Sequence, residues 1–189
     1  MDSALIVSSV DKGTLFFNEM LSAASIREIA TATSAASAKR LLLDREFDLV
    51  IVNAPLIDES GESLSRNIAL GSIAQTILVV KTEYFDAISA ICEEDGVLTV
   101  AKPINRAVFW SALKLAGAAQ KQLKRMQAEN SMLKQRIEDI RITDRAKYIL
   151  ISCLDMSEQE AHRYIEKQAM DTRTTRRVIA EEILKKYEN

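Results

Sequence analysis

The sequence predicts an α/β domain built on a five-stranded parallel sheet, followed by a long helix and an all-α carboxyl-terminal module. Three observations lead to this prediction. Five short apolar runs alternate with helical patterns over the first hundred residues, as in chains of βαβ units. No proline follows Pro103, and the stretch after it keeps a helical period. With only five Gly and two Pro in 189 residues, the parts must be joined by regular structure rather than by a flexible linker.

The five apolar runs are the predicted strands, and the patterns between them are the predicted helices. The strands are expected at residues 4–9, 26–30, 49–53, 76–80 and 97–101, and the helices at residues 12–24, 34–44, 60–70 and 85–93. The runs are almost entirely apolar, which is typical of strands covered by helices on both faces of a parallel sheet. Asp11 is predicted to cap the first helix.

A heptad seam follows the last strand. Its a positions are Phe109, Ala116, Leu123, Asn130 and Ile137, and its d positions are Ala112, Ala119, Met126, Leu133 and Ile140. The small residues of the first two heptads suit close packing against the amino-terminal domain or against a partner helix. The larger residues from Leu123 onward predict a coiled coil.

Asn130 is the polar member of this seam. A single polar residue at an a position costs stability, but it pairs with its mate in only one register and oligomeric state. The pattern therefore predicts a parallel homodimer through Leu123, Met126, Asn130, Leu133, Ile137 and Ile140. The alternative is one amphipathic helix that folds back on its own chain.

Three short helical patterns end the chain, at residues 141–154, 157–170 and 174–187. Ser157 and Glu160 have the spacing of a capping box, which fixes the start of the second helix. Some fifty residues can form only a marginal domain, so dimerisation through the preceding helix is expected to support it.

Composition narrows the function. No apolar run reaches the roughly 20 residues that span a bilayer, and the amino terminus does not resemble a signal peptide, so we expect a cytoplasmic protein that does not enter a membrane. Cys92 and Cys153 are far apart in sequence and are expected to be buried apolar residues. Residues 1–108 carry 9 Lys/Arg against 15 Asp/Glu, whereas residues 109–140 carry 6 against 3 and residues 141–189 carry 10 against 9. This mild basic shift suits a nucleic-acid partner for the carboxyl-terminal part.

Residues 3–118, which end their fifth strand in Ala101-Lys102-Pro103, resemble the receiver domain of two-component response regulators, a flavodoxin-like fold. In that family an acidic pair after the first strand holds Mg²⁺, an aspartate ending the third strand accepts a phosphoryl group, and the Lys of Lys-Pro contacts phosphate. The family also makes the Lys-Pro peptide bond cis. The resemblance therefore implies the fold and identifies the positions at which this chemistry would occur.

This chain departs from the family at those positions. Ser8 and Ser9 replace the acidic pair, and Asn53 replaces the phosphorylated aspartate. The family has a switch hydroxyl near the end of the fourth strand, and here the sequence Lys81-Thr82 leaves the position of that hydroxyl uncertain by one residue. Only Lys102 matches the family pattern clearly. The sequence thus predicts a pseudo-receiver without phosphorylation chemistry, in which Lys102 pairs with Asp11 or another carboxylate.

Residues 141–189 resemble the ANTAR domain, the three-helix output module of transcription antitermination regulators. The resemblance rests on Ile142, Ala146-Lys147 and Leu150, on Met156-Ser157-Glu158 with Glu160-Ala161, on Ile165, Ala169-Met170 and Arg173, and on Val178 and Ala180. Tyr148 stands where the family usually has a small residue, which leaves the packing at that corner open. The family binds paired hairpins in leader transcripts, so the resemblance implies tandem RNA hairpins as the partner.

Basic side chains of this module are the predicted RNA contacts. They are Lys147, Arg163, Lys167, Arg173, Arg176 and Arg177, with His162 and Tyr164 as possible stacking neighbours. Each of them could equally belong to a solvated helix face.

The predicted domains are a pseudo-receiver at residues 1–118, a coiled-coil linker at 104–140 and an ANTAR domain at 141–189. Together they predict an RNA-binding antitermination regulator that is not an enzyme and needs no cofactor or metal. A DNA-binding response regulator and a protein-interaction scaffold are the alternatives. A sensor protein or a small molecule could supply the signal, or the protein could be constitutive.

Overall fold

The computed structural model describes residues 1–187. The chain divides into two compact units, one formed by Met1–Arg125 and one that begins at Met126. No helix within the described part of the chain is long and apolar enough to cross a bilayer.

The first unit contains a five-stranded, wholly parallel sheet in the order β2-β1-β3-β4-β5. Its strands are β1 (Ser3–Ser8), β2 (Glu28–Ala32), β3 (Leu49–Asn53), β4 (Gln75–Lys81) and β5 (Leu98–Lys102). This order is that of flavodoxin-like folds, in which sites form at the carboxyl ends of the strands. The predicted fold class is therefore confirmed. The second strand begins two residues later than predicted, because Ile26 packs into the core from the preceding loop.

Four helices cover the two faces of the sheet: α1 (Asp11–Ala23), α2 (Ala35–Asp44), α3 (Glu62–Gly71) and α4 (Phe85–Glu94). Two apolar cores result, one on each face, and both contain side chains that are completely buried. Asp11 does not cap α1 as predicted. It is the first residue of the helix, Val10 holds the N-cap position, and no side chain caps that end.

The next helix, α5 (Arg106–Leu154), is 49 residues long and contributes to both units. In the first unit it packs Phe109, Leu113 and Ala116 onto the sheet, and all three are at most 2% exposed. The Phe109 ring lies 5.2 Å from that of Phe17 and 5.8 Å from that of Phe16. The small residues of the first two heptads thus let α5 approach its own domain closely.

A buried carboxylate fastens α5 to the start of β3. Asp48 accepts a hydrogen bond from the Asp2 backbone N–H at 2.6 Å, lies 2.6 Å from the Lys124 ammonium, and accepts a longer bond of 3.4 Å from the Gln120 amide. Burial acts to raise the pKa of Asp48, but the bonds from Lys124, Asp2 and Gln120 outweigh it and lower that pKa to about 2. We call these four residues the Asp48 anchor.

The second unit is a three-helix module formed by the end of α5, α6 (Glu158–Thr172) and α7 (Arg176–Tyr187). Its core consists of Ala146, Ile149, Leu150, Ala161, Ile165, Ala169, Ile179, Ala180 and Ile183. The predicted capping box is confirmed, since Ser157 Oγ accepts from the Glu160 N–H and the Glu160 carboxylate accepts from the Ser157 N–H.

Two predictions for this unit are wrong. The helix expected to begin at Arg141 is continuous with α5, because no residue near position 140 interrupts the helical pattern. Cys153 is exposed, because it follows the last buried turn of α5, whereas Cys92 is buried as predicted.

Candidate nucleic-acid interface

The carboxyl ends of β1 and β3 hold a closed polar pair where a receiver would be phosphorylated. Asn53 Nδ2 donates to Ser8 Oγ at 2.9 Å, and Ser8 Oγ donates to the Val10 carbonyl at 3.0 Å. Ser8 is 3% exposed and Asn53 is 6% exposed. Helix α1 passes directly over them at Gly13, where an added Cβ would lie only 2.4 Å from Asn53 Nδ2. Helix α1 therefore covers both side chains.

The remaining receiver positions lie around this pair. Ser9 Oγ donates to the Pro55 carbonyl at 3.3 Å, and the Thr82 hydroxyl bonds the Lys102 carbonyl. Lys102 Nζ donates to the Ala54 carbonyl at 2.5 Å rather than to Asp11 or another carboxylate, so the predicted ion pair is wrong. Burial, and then the neighbouring charge of Lys81, lowers the pKa of Lys102. The peptide bond from Lys102 to Pro103 is cis, as the resemblance implies.

The residues at these positions do not fit the Mg²⁺ of an active receiver. Mg²⁺ in proteins is held through carboxylates together with water. Here the donors are the hydroxyls of Ser8 and Ser9 and the amide of Asn53, and the two hydroxyls already bond backbone carbonyls. Within residues 1–187 no three His, Cys, Asp or Glu side chains are grouped so that they could hold a metal ion.

The three helices of the second unit enclose a basic groove of about 510 Å³. Its cationic and ring side chains come from all three helices, and its floor includes an apolar residue of the heptad seam. We define this α5–α6–α7 groove by Arg136, Ile140, Lys147, His162, Arg176 and Arg177. Three of the six predicted RNA contacts, Lys147, Arg176 and Arg177, are thus brought together.

Two groove cations are held in several ion pairs each. Lys147 Nζ lies 2.8 Å from Asp144 and 3.4 Å from Glu158, and these carboxylates raise the pKa of Lys147. Arg177 bonds both Glu181 and Asp139 at 2.8 Å, and those bonds raise its pKa. Because Asp139 lies on α5, Arg177 joins α7 to α5 and has a structural role as well as a charge.

Arg163, Lys167 and Arg173 differ from these two cations. All three are exposed, and within residues 1–187 their side chains form no hydrogen bond or ion pair. Arg163 lines a smaller depression beside the groove, together with Lys147 and His162. Arg173 ends α6 with a φ of 54°, a left-handed conformation that favours Gly or Asn. We call this set the unpaired cations.

The aromatic side chains of this unit are largely on its surface. Tyr148 is 70% exposed and Tyr164 is 40% exposed. Tyr148 therefore does not disturb the core, which was the question left open by its departure from the family pattern. His162 Nε2 lies 3.3 Å from Glu166, whose carboxylate also bonds Arg176 at 3.2 Å.

Arg136 is a groove residue that the sequence did not single out. It lies in the segment predicted as a coiled coil, outside residues 141–189, which were predicted as the ANTAR domain. Only the fold therefore places it near His162 and Arg176. One signal in the sequence could have identified Arg136 as a groove residue: it is basic, and it flanks the a/d seam close to the end of that seam.

The seam residues of α5 are exposed in the single chain. Leu123 is 40% exposed, and Met126, Leu133, Ile137 and Ile140 are between 53% and 60% exposed. Asn130 is also exposed. A regular apolar stripe left in water is characteristic of a surface that another helix covers.

Comparison with known proteins agrees with the description of both units. Residues 131–184 match the family model of the ANTAR domain. The "Transcriptional regulatory protein PdtaR" of Mycobacterium tuberculosis is 26% identical over 137 residues, which are 72% of this chain and 67% of that protein. The signal receiver domain of an HD domain-containing protein from Pseudomonas fluorescens Pf-5 has a TM-score of 0.58 at 25% identity, over 65% of this chain and 91% of that chain.

The chain contains an ANTAR domain, preceded by a unit with the fold of a response-regulator receiver domain. A CheY-like receiver domain from Methylobacillus flagellatus shares the fold of the first unit, with a TM-score of 0.51 at 21% identity over 61% of this chain and 98% of that chain. The family resemblance seen in the sequence is thereby confirmed. Ser8 and Asn53 lie at strand ends of the receiver-like unit, Ser9 follows β1, and the α5–α6–α7 groove belongs to the unit that contains the ANTAR domain.

Proposed function

We propose that this ANTAR response regulator is a cytoplasmic antitermination factor that binds tandem RNA hairpins as a homodimer and acts without phosphorylation. The unpaired cations carry this proposal. Arg163, Lys167 and Arg173 are exposed and have no carboxylate partner in residues 1–187, so they can meet phosphates without first breaking an ion pair. The mycobacterial relative is a transcriptional regulatory protein, which supports a regulatory rather than an enzymatic role.

Hairpin RNA fits this surface better than duplex DNA. A helix that reads DNA enters the major groove and presents several side chains to base edges. Here the cations lie on α6, at its end and around a concave groove, and α7 is joined to α5 through Arg177 and Asp139. A concave cationic surface with exposed rings suits the splayed bases of an RNA loop.

The binding experiment compares three nucleic acids at stated salt concentrations: tandem hairpins, the same hairpins with altered loop bases, and duplex DNA of equal length. We expect tightest binding to the tandem hairpins and weaker binding when the loops change, because loops are where sequence-specific RNA recognition occurs. Equal or tighter binding to the duplex DNA would contradict the proposal and favour a DNA-binding regulator.

The exposed seam supports the homodimer. Two modules on one dimer can engage two hairpins of one transcript, which raises the apparent affinity through effective concentration. Removing the polar a residue should change the number of chains in the assembly, since such residues specify oligomeric state at a cost in stability.

We therefore expect Asn130→Leu to keep its helical circular dichroism while its mass distribution in solution shifts from dimer toward higher oligomers. Analytical ultracentrifugation measures this shift. Gln135→Leu, at an exposed f position on the outer face of the same helix, is the matched control and should remain dimeric. A monomer before and after the Asn130 substitution would exclude the coiled-coil dimer.

The closed pair of Asn53 and Ser8 supports independence from phosphorylation. An amide is a poor nucleophile, and the pair is buried beneath Gly13. Incubation with acetyl phosphate and Mg²⁺ should therefore leave the intact mass unchanged and leave RNA affinity unaltered. An active receiver domain treated in parallel is the positive control. A stoichiometric, hydroxylamine-labile phosphoryl adduct would refute this part of the proposal.

A further inference from the structure

The α5–α6–α7 groove has more than one kind of binding surface. The His162 ring gives it a planar face, and Ile140, the last residue of the seam, lies at its edge toward the dimer contact. Two hydroxyls line it as well. Thr143 Oγ1 donates to the Asp139 carbonyl at 2.7 Å, so its lone pairs can accept, and Thr175 Oγ1 accepts from the Val178 N–H at 3.4 Å, so its proton can be donated.

The groove has four cationic side chains against two carboxylates, so its net charge is positive. Its two carboxylates are already engaged, Asp139 by Arg177 at 2.8 Å and Asp144 by Lys147 at 2.8 Å. Arg136 is exposed and forms no ion pair among the described residues, and the Arg176 side chain is 58% exposed with only Glu166 as its partner. An anion entering the groove would therefore meet Arg136 and Arg176.

The size of the groove restricts what it can hold. A volume of about 510 Å³ falls in the range of small-molecule sites, which is about 300–1,000 Å³. One nucleotide fits such a volume, whereas a base-paired stack does not. The groove thus combines a stacking face, hydrogen-bonding hydroxyls and phosphate-binding cations at the scale of one nucleotide.

We propose that the α5–α6–α7 groove takes one unstacked loop nucleotide of the RNA, with the base against the His162 ring and its phosphate on Arg136 and Arg176. This assignment rests on the proposed RNA-binding function and adds to it a second, base-reading surface. The unpaired cations bind the RNA backbone outside the groove, whereas the groove reads one position of the loop.

The test combines protein variants with abasic RNA. Affinity of the full chain is measured for a hairpin and for a series of hairpins in which each loop position in turn lacks its base. The groove variants are His162→Ala, which removes the ring, and Arg136→Gln, which removes one cation. Arg141→Gln removes one cation from the same helix outside the groove and is the matched control. Circular dichroism checks that each variant is folded.

In the native chain and in Arg141→Gln, we expect one abasic position to weaken binding roughly ten-fold, the scale of one lost stacking contact. In His162→Ala the intact hairpin should bind roughly ten-fold more weakly, and the penalty at that one position should largely vanish, because ring and base act through the same contact. Arg136→Gln should weaken binding about equally for all hairpins, including every abasic one.

The outcomes separate this assignment from the proposed function. Tight hairpin binding with the same abasic penalties in His162→Ala as in the native chain would overturn the groove assignment and leave RNA binding intact. Failure of the native chain to bind the intact hairpin would overturn both.

Discussion

Replacing Asp48 with asparagine is expected to lower the free energy of unfolding of the first unit by about 2 kcal/mol at neutral pH. The carboxylate is buried, and its negative charge holds the Lys124 ammonium at 2.6 Å and the Asp2 N–H at 2.6 Å. An amide would still accept a bond from Asp2, but it would remove the counter-charge of Lys124 and present donors to Gln120. Because the Lys124 side chain is 47% exposed, water can solvate its ammonium, and the loss stays below that for a fully buried ion pair.

Urea denaturation followed by the fluorescence of Trp110 measures this loss, because Trp110 is the only tryptophan and packs on the core of the first unit. Asp44→Asn is the matched control, since Asp44 is exposed at the end of α2 and its removal should change the free energy of unfolding by less than about 0.5 kcal/mol. Equal unfolding midpoints for the two variants would show that the Asp48 anchor does not stabilise the domain.

The same anchor predicts a dependence of stability on pH. The pKa of Asp48 is about 2 in the folded chain, below its ordinary value of 3.8. A group with a lowered pKa contributes stability above its unfolded-state pKa and loses it as the pH falls through the folded-state value. The native chain should therefore lose about 2 kcal/mol between roughly pH 4 and pH 2 that Asp48→Asn does not lose.

The second large effect concerns the unpaired cations. Changing Arg163, Lys167 and Arg173 together to glutamine should weaken hairpin RNA binding roughly 100-fold at moderate salt, because three phosphate contacts are lost. No ion pair with a carboxylate is broken by the change, so nothing offsets this loss. The slope of log affinity against log salt concentration should become shallower by about 2 to 3, close to one unit for each contact.

Fluorescence anisotropy across a salt series measures both quantities. The matched control changes Lys12, Arg27 and Arg40 of the first unit to glutamine, which alters the net charge equally but leaves the ANTAR domain intact. We expect that control to bind within about two-fold of the native chain, since screening limits long-range attraction to about 10 Å at 0.1 M salt. Similar losses in the two triple variants would indicate binding through overall charge alone.

Patterns along the chain predicted the fold well because each signal was local. Runs such as Leu49–Asn53 are buried on both faces, and their composition alone identifies them as strands. The capping box at Ser157 fixed a helix start from two residues. The continuity of α5 past position 140 could not be predicted this way, because nothing in the sequence distinguishes an uninterrupted helix from two helices in line.

The candidate site was predicted less completely. The resemblance to receiver domains identified the receiver positions, but the bond from Lys102 to the Ala54 carbonyl depends on a loop whose path the sequence does not specify. Arg136 reaches the groove, and Lys124 reaches Asp48, only through the packing of elements far apart in sequence. In isolation, both resemble ordinary charged residues of a solvated helix.

The close approach of Gly13 to Asn53 restricts both positions at once. A side chain at position 13 has no room, because its Cβ would lie 2.4 Å from Asn53 Nδ2. An aspartate at position 53 would fit the space of the asparagine, but it would bury a carboxylate beneath α1 and lose the bond that the amide donates to Ser8 Oγ. Each of these single changes is therefore expected to lower the stability of the first unit, so positions 8, 13 and 53 should tolerate substitution only in combination.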